Sequence, residues 1–139
     1  GGRWLLVASS EGRGFVVPED AVAAQTRAGK QVLNVSPGSE AVVARIVEGD
    51  HVAVVGENRK VIIFPLDELP EMTRGRGVIL QRYKSGGMSD AKTFTLAEGL
   101  TWQAGSRTRT ETKLTDWVGK RSQAGRVAPA GFASNNRFD

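Results

Sequence analysis

The stretch Asn58-Arg-Lys-Val-Ile-Ile-Phe-Pro65 runs from a polar turn through two cations and four apolar residues to a proline. Short β-branched and aromatic runs bounded by turn residues read as buried strands. The same order stands 47 residues earlier, in Glu11-Gly-Arg-Gly-Phe-Val-Val-Pro18. It stands again 47 residues later, in worn form, in Gly105-Ser-Arg-Thr-Arg-Thr-Glu-Thr112. A second element keeps the step: Thr26-Arg-Ala-Gly-Lys-Gln-Val-Leu33, Thr73-Arg-Gly-Arg-Gly-Val-Ile-Leu80 and Lys120-Arg-Ser-Gln-Ala-Gly-Arg-Val127. Arg13, Lys60 and Arg107 therefore share one register, and Arg27, Arg74 and Arg121 share another. One basic triplet would arise by chance on the order of one time in ten. Two in one frame, with Leu33, Leu80 and Val127 and with Pro18 and Pro65 in step, mark an internal repeat. Such a repeat means stacked or radially arranged copies of one small unit. A repeated cation then means a repeated contact, and nucleic acid is the commonest polymer with evenly spaced negative charge.

The 139 residues fit one compact domain. Net charge is +4 and the pI is near 9.9, so charge acts through placement more than amount. With no cysteine there is no disulfide and no thiolate metal site, which is compatible with a reducing cytoplasm. No apolar run has the length of a membrane-spanning helix, and the N-terminus lacks the features of a secretion signal. The chain begins inside an apparent strand and reads as a piece of a longer protein.

Strands are expected at Trp4-Leu-Leu-Val-Ala8, Phe15-Val-Val17, Gln31-Val-Leu-Asn-Val35, Ala41-Val-Val43 and His51-Val-Ala-Val-Val55. Val61-Ile-Ile-Phe64, Val78-Ile-Leu80 and Thr93-Phe-Thr-Leu96 follow. Each unit opens with a hairpin whose turn carries Gly12, Gly56 or Gly105. A polar link comes next, Pro18-Glu-Asp-Ala-Val22 or Pro65-Leu-Asp-Glu-Leu69, with room for one helical turn. About four short strands per unit is the pattern of propeller blades or a related all-β array. The units fall at about 1–46, 47–93 and 94–127. Residues 128–139 read as an irregular tail, with Phe132 and Phe138 as its anchors.

Three stretches carry a family resemblance. They are Asp50-His-Val-Ala-Val-Val-Gly-Glu-Asn-Arg-Lys60, Phe64-Pro-Leu-Asp-Glu-Leu-Pro-Glu-Met-Thr-Arg-Gly-Arg-Gly-Val78 and Leu80-Gln-Arg-Tyr-Lys-Ser-Gly-Gly-Met-Ser-Asp90. Together they resemble the C-terminal domain of the A subunit of bacterial topoisomerase IV, a relative of the gyrase A C-terminal domain. The Met-Thr-Arg-x-x-Gly-Val turn at 72–78 is the most specific piece, and Gly125-Arg-Val-Ala-Pro-Ala-Gly-Phe132 resembles the end of that subunit. The resemblance implies an all-β, propeller-like β-pinwheel whose blades exchange strands and whose basic rim binds a bent DNA duplex. It implies a type II topoisomerase of A2B2 composition in the bacterial cytoplasm, at the nucleoid. The cleaving tyrosine and the Mg2+ and ATP sites would then lie elsewhere in that holoenzyme, with no cofactor on this chain. The chain departs from the family in holding about three units and in lacking the glutamine-, arginine- and glycine-rich box with which gyrase wraps DNA.

The candidate DNA-binding residues are the two triplets, extended by Lys30, Arg76, Arg82 and Lys84. Cations on loops of equivalent blades would form an arc that meets phosphates on a curved duplex without reading sequence. Gly29, Gly75 and Gly77 serve either close phosphate approach or plain turn geometry. No catalytic constellation emerges. His51, the single histidine, lies in an alternating apolar strand. The carboxylates Glu19, Asp20, Asp67, Glu68 and Glu71 recur in the links without histidine partners. Tyr83, the single tyrosine, falls outside the part of the family that cleaves DNA. The expected function is non-catalytic duplex binding and bending that presents DNA for strand passage. A protein-interaction propeller is the alternative.

Overall fold

The computed structural model describes residues 2–139. Its first unit comprises β1 (Trp4–Ser9), β2 (Arg13–Pro18), α1 (Glu19–Arg27) and β3 (Ala41–Ile46). Its second comprises β4 (His51–Gly56), β5 (Lys60–Pro65), β6 (Val78–Ile79) and β7 (Met88–Phe94). Then come β8 (Leu100–Ala104), β9 (Arg107–Glu111) and β10 (Arg126–Val127). The strands form a four-stranded sheet in the order β3-β1-β2-β6, a second in the order β7-β4-β5-β10, and the hairpin β8-β9.

The 47-residue repeat is structural. Trp4 pairs with Pro18 as His51 pairs with Pro65. A bulge between Ala8 and Ser9 returns between Val55 and Gly56. Parallel bridges join Val16 to Glu71 and Ile63 to Val118, again one repeat apart. The units are interlocked, because β6 of the second closes the sheet of the first and β10 of the third closes that of the second. At the first crossing Gly77 (φ +79°) passes so close to Gly14 that a Cβ on it would stand 2.2 Å from the Gly14 carbonyl oxygen. Only glycine fits there without displacing backbone.

Burial on both faces explains the unbroken apolar runs. Val52, Val54, Ile62 and Phe64 of the second sheet join Leu6, Ala8 and Val16 of the first in one core. The alternate residues Ala53, Val55, Val61 and Ile63 face a second core with Leu100, Trp102 and Phe138. Alternation of side chains along a strand places each run in two cores at once. β9 lacks an apolar run, and four of its five residues are exposed.

Several elements differ from the sequence expectation. The link in the first unit is a helix of nine residues, longer than one turn. Its acidic first turn and terminal Arg27 complement the helix dipole, and no proline interrupts it. The link in the second unit is a single 3-10 turn, Leu66–Glu68, followed closely by Pro70. Residues 31–35 form no strand and make one bridge, Leu33 to Gly75. β7 extends the strand expected at 93–96 back to Met88.

The last twelve residues carry no strand or helix, yet they are packed. Phe138 is 1% exposed, and its ring meets Phe132, which in turn meets Trp102. Arg59 donates to the carbonyls of Ala133 and Phe132 and lies 5.7 Å over the Phe132 ring. The Phe138 amide donates to Asp90, and Arg45 joins Asp90 to Asp139 at 3.1 and 2.6 Å. The hydrogen bond from Arg45 holds the Asp139 carboxyl below the usual aspartate range. Truncation of Phe138→Ala is therefore expected to cost about 3–5 kcal/mol in urea-unfolding stability, as for a core phenylalanine.

Candidate nucleic-acid interface

The strand register divides the molecule into two ends. Hairpin turns 10–12 and 57–59 lie at one end, with the returning segment 80–88 beside them. The links that follow Pro18 and Pro65, and the starts of β1 and β4, lie at the other.

The segment 80–88 is the seam of the hairpin end. Leu80 and Met88 donate amides to Gly12 and Ser10 of the first unit, and Glu57 donates to Gly87. Gln81, 1% exposed, donates its side-chain amide to the carbonyls of Lys60 and Ala124. The Tyr83 ring is wedged between Gly12 and Gly56, where added Cβ atoms would stand 2.7 and 2.8 Å from it. Its hydroxyl is buried without a hydrogen-bond partner. Burial, aided by the charge of Glu57, pushes its pKa up. Tyr83 is thus a packing wedge.

This seam gathers cations. Arg82, Lys84 and Lys60 line one recess of about 400 Å³ with Asn58. Arg82 also lines a neighbouring recess of about 570 Å³ with Arg13. Arg13 and Lys60 open β2 and β5 in the same register, and Arg107 opens β9 beside the exposed turn at Gly105. Arg82, Lys84 and Arg107 are exposed, whereas Arg13 and Lys60 are half-buried. Among the described residues, the side chains of Lys60, Arg82, Lys84 and Arg107 make no intramolecular hydrogen bond or ion pair. Arg13 spends one donor on the Gly77 carbonyl at 3.1 Å.

The second triplet divides. The side-chain amide of Gln25 donates to the Thr73 carbonyl, and at the same crossing the Asn34 amide donates to the Gly75 carbonyl while the Gly75 amide donates to Val32. The turns carrying Arg27, Lys30 and Arg74 therefore lie side by side, with all three residues exposed. Arg121 differs from its counterparts. Its guanidinium donates to the carbonyls of Glu68 and Ile79, and its amide donates to the Glu68 carboxylate. These bonds brace the third unit against the second and use the donors a phosphate would need. Arg76 is exposed, but its guanidinium reaches Glu11 at 3.0 Å and Ser36 at 2.8 Å. Burial pushes the Glu11 carboxyl up, but hydrogen bonds to it from Arg76 and Ser36 and the Arg76 charge outweigh burial and leave its pKa below the usual value. The Gly29 and Gly75 amides are occupied by Thr26 and Val32, so both glycines serve the turns they stand in.

Arg109 and Arg126, exposed on β9 and β10, are cations that the sequence reading does not single out. The alternation Arg107-Thr-Arg109 is the signal for the first. Among the described residues no cluster of histidine, cysteine or carboxylate side chains has the arrangement of a metal site. Likewise, no helix is long and apolar enough to cross a membrane.

Two four-stranded sheets in series, each closed by a strand from the next unit, and a following hairpin define a propeller-type domain. Residues 3–47 and 50–88 match the family described as DNA gyrase C-terminal domain, beta-propeller, and the chain belongs to that family. Among its relatives, the A subunit of DNA topoisomerase 4 from Rickettsia bellii is 45% identical over 134 residues, covering 96% of this chain and 18% of that protein. Its counterpart from Caulobacter vibrioides is 46% identical over 138 residues, covering 99% and 18%. The chain thus spans 18% of the length of these curated relatives. The solved E. coli ParC C-terminal domain superposes with a TM-score of 0.77 at 22% identity, over 94% of this chain and 57% of its own. A crystal structure of the C-terminal domain of DNA topoisomerase IV gives 0.71 at 16%, over 91% and 41%. These two likenesses bear on the fold alone.

The two fates within one register are separable by mutation. Arg121→Ala strands two carbonyls and is expected to cost about 1–3 kcal/mol. Arg74→Ala, at an exposed turn, is expected to change stability by no more than about 0.5 kcal/mol. Paired thermal or urea unfolding reads both.

Proposed function

We propose that this chain is a non-catalytic duplex-DNA-binding unit within the A subunit of a bacterial type II topoisomerase. It captures and bends a DNA segment and presents it for strand passage in supercoil relaxation and decatenation. The observation that carries this reading is the run of cations along the hairpin end, of which Arg82, Lys84 and Arg107 are exposed and, with half-buried Lys60, have no side-chain partner among the described residues. Lys60, Arg82 and Lys84 share one recess, with Arg13 beside them and Arg107 in the same strand register. Arg27, Lys30 and Arg74 extend the surface. Arg76 contributes after exchange of its Glu11 partner, and Arg121 contributes through the fold.

Such cations bind phosphate through counterion release and position the duplex without reading bases. Equivalent cations on successive blades favour a bent over a straight segment, because only a bent duplex reaches all of them. The strand-cleaving chemistry, with its Mg2+ and ATP, belongs to other parts of an A2B2 assembly at the nucleoid. A second reading, a protein-interaction module, is favoured by a recess of about 680 Å³ at the link end, where Asp50, Asp67 and Glu71 stand beside Trp4, Leu66 and Leu69, and is compatible with the first.

The test is binding to a random-sequence duplex across a salt series. Lys60, Arg82 and Lys84 changed together to Ala are expected to weaken every sequence alike. The log–log salt slope should fall by about 0.9 for each phosphate that is no longer neutralised. An unchanged slope in a variant with native circular dichroism would overturn the assignment.

A further inference from the structure

The end opposite the hairpin turns has a different chemistry. There a recess of about 680 Å³ opens between the first and second sheets. Trp4, Val47, Pro65, Leu66 and Leu69 give it an apolar lining. It exists because the second link is only one 3-10 turn. Pro70 then leads the chain back across the first sheet, where Glu71 bridges to Val16. The longer helix of the first unit is the alternative form of this link.

Asp50, Asp67 and Glu71 stand in the same lining. Asp67 and Glu71 are exposed, and among the described residues neither has a hydrogen-bond or ion-pair partner through its side chain. Asp50 is engaged by the Leu96 amide and by His51, and these bonds hold its pKa below the ordinary aspartate value. Further carboxylates, Glu19, Asp20 and Glu68, lie in the two links at this end. Of the cations near them, Arg3 pairs with Glu19 at 2.7 Å and Arg121 is bound to backbone carbonyls, while Lys120 and Arg27 are exposed but do not line the recess. Arg74 follows three residues after Glu71 but does not line the recess. In a chain of net charge +4, this end presents uncompensated negative charge around an apolar floor.

That combination repels phosphate and leaves an apolar surface that a bare cation would not cover. It is complementary to a side chain that is apolar with a positive charge beside it. We propose that this recess docks a segment of a partner protein in which an aliphatic or aromatic residue is flanked by lysine or arginine. The site lies at the opposite end from the recess of Lys60, Arg82 and Lys84, so the two can be occupied together.

The probe is an array of decapeptides alternating Lys or Arg with Leu, Ile or Phe. Two control arrays carry Glu in place of the cations, or Ser in place of the apolar residues. Each is titrated into the 15N-labelled chain, following the Trp4 indole N–H and the amides of residues 65–71. Members of the first array are expected to shift these signals and the controls to leave them in place. Asp67→Asn with Glu71→Gln should weaken binding roughly fivefold, at about half a kcal/mol for each exposed charge. Both residues are exposed, and the amide dispersion of the variant reports its fold directly. The proposal is overturned if no member of the first array moves the Trp4 signal, or if the Ser array binds equally. It is also overturned if the double variant, correctly folded, binds as the wild type does. Retained duplex binding in that variant separates this site from the DNA surface.

Discussion

Strand exchange between consecutive units is the constraint on which the rest of the structure depends. β2 is paired on one side by its own hairpin partner β1 and on the other by β6, which the next unit supplies. β5 stands in the same position between β4 and β10. Neither of these two sheets is completed by its own unit, so each acquires its fourth strand only when its neighbour folds against it. Stability in such an array is a sum of small unit terms and neighbour interfaces, and the interfaces here include backbone ladders. The exchange also fixes where the chain must return. It brings residues 80–88 back between the hairpin turns of two units, with Tyr83 as the wedge and Gln81 as the pin. Arg82 and Lys84 are exposed because their neighbours are held inside.

From this follows the division of charge. Strands buried on both faces admit an ionised side chain only where it is paired, as Asp90 of β7 is with Arg45 of β3, since an unpaired buried charge is costly. Charges collect where strands turn. At the hairpin end they are mainly cations, and at the link end mainly carboxylates. A mildly basic chain thus acquires two ends of opposite character without a large net charge. One suits a phosphate backbone and the other excludes it.

The repeat, the strand class and the hairpin positions were legible in the sequence because register is a periodic property. Arg13, Lys60 and Arg107 do open equivalent strands. What a residue does once placed was less legible. Arg74 and Arg121 occupy the same register, yet the first is exposed and the second braces two backbone carbonyls. Nothing in the local sequence of either distinguishes them, because the carbonyls belong to residues 53 and 42 positions away. Pro70 was visible, but its effect on link length emerges only by comparison with the uninterrupted first link. The packing of the final segment was half legible. Phe132 and Phe138 marked anchors, while the ties from Arg45, Arg59 and Asp90 span long separations that no composition reveals.

The most direct test of the charge division is hydrogen–deuterium exchange of the chain with and without a duplex of random sequence. Protection at residues 10–13, 57–60 and 82–87, with residues 65–71 unchanged, is the result expected if the hairpin end holds the duplex. Protection centred on residues 65–71, or spread evenly over both ends, would contradict it.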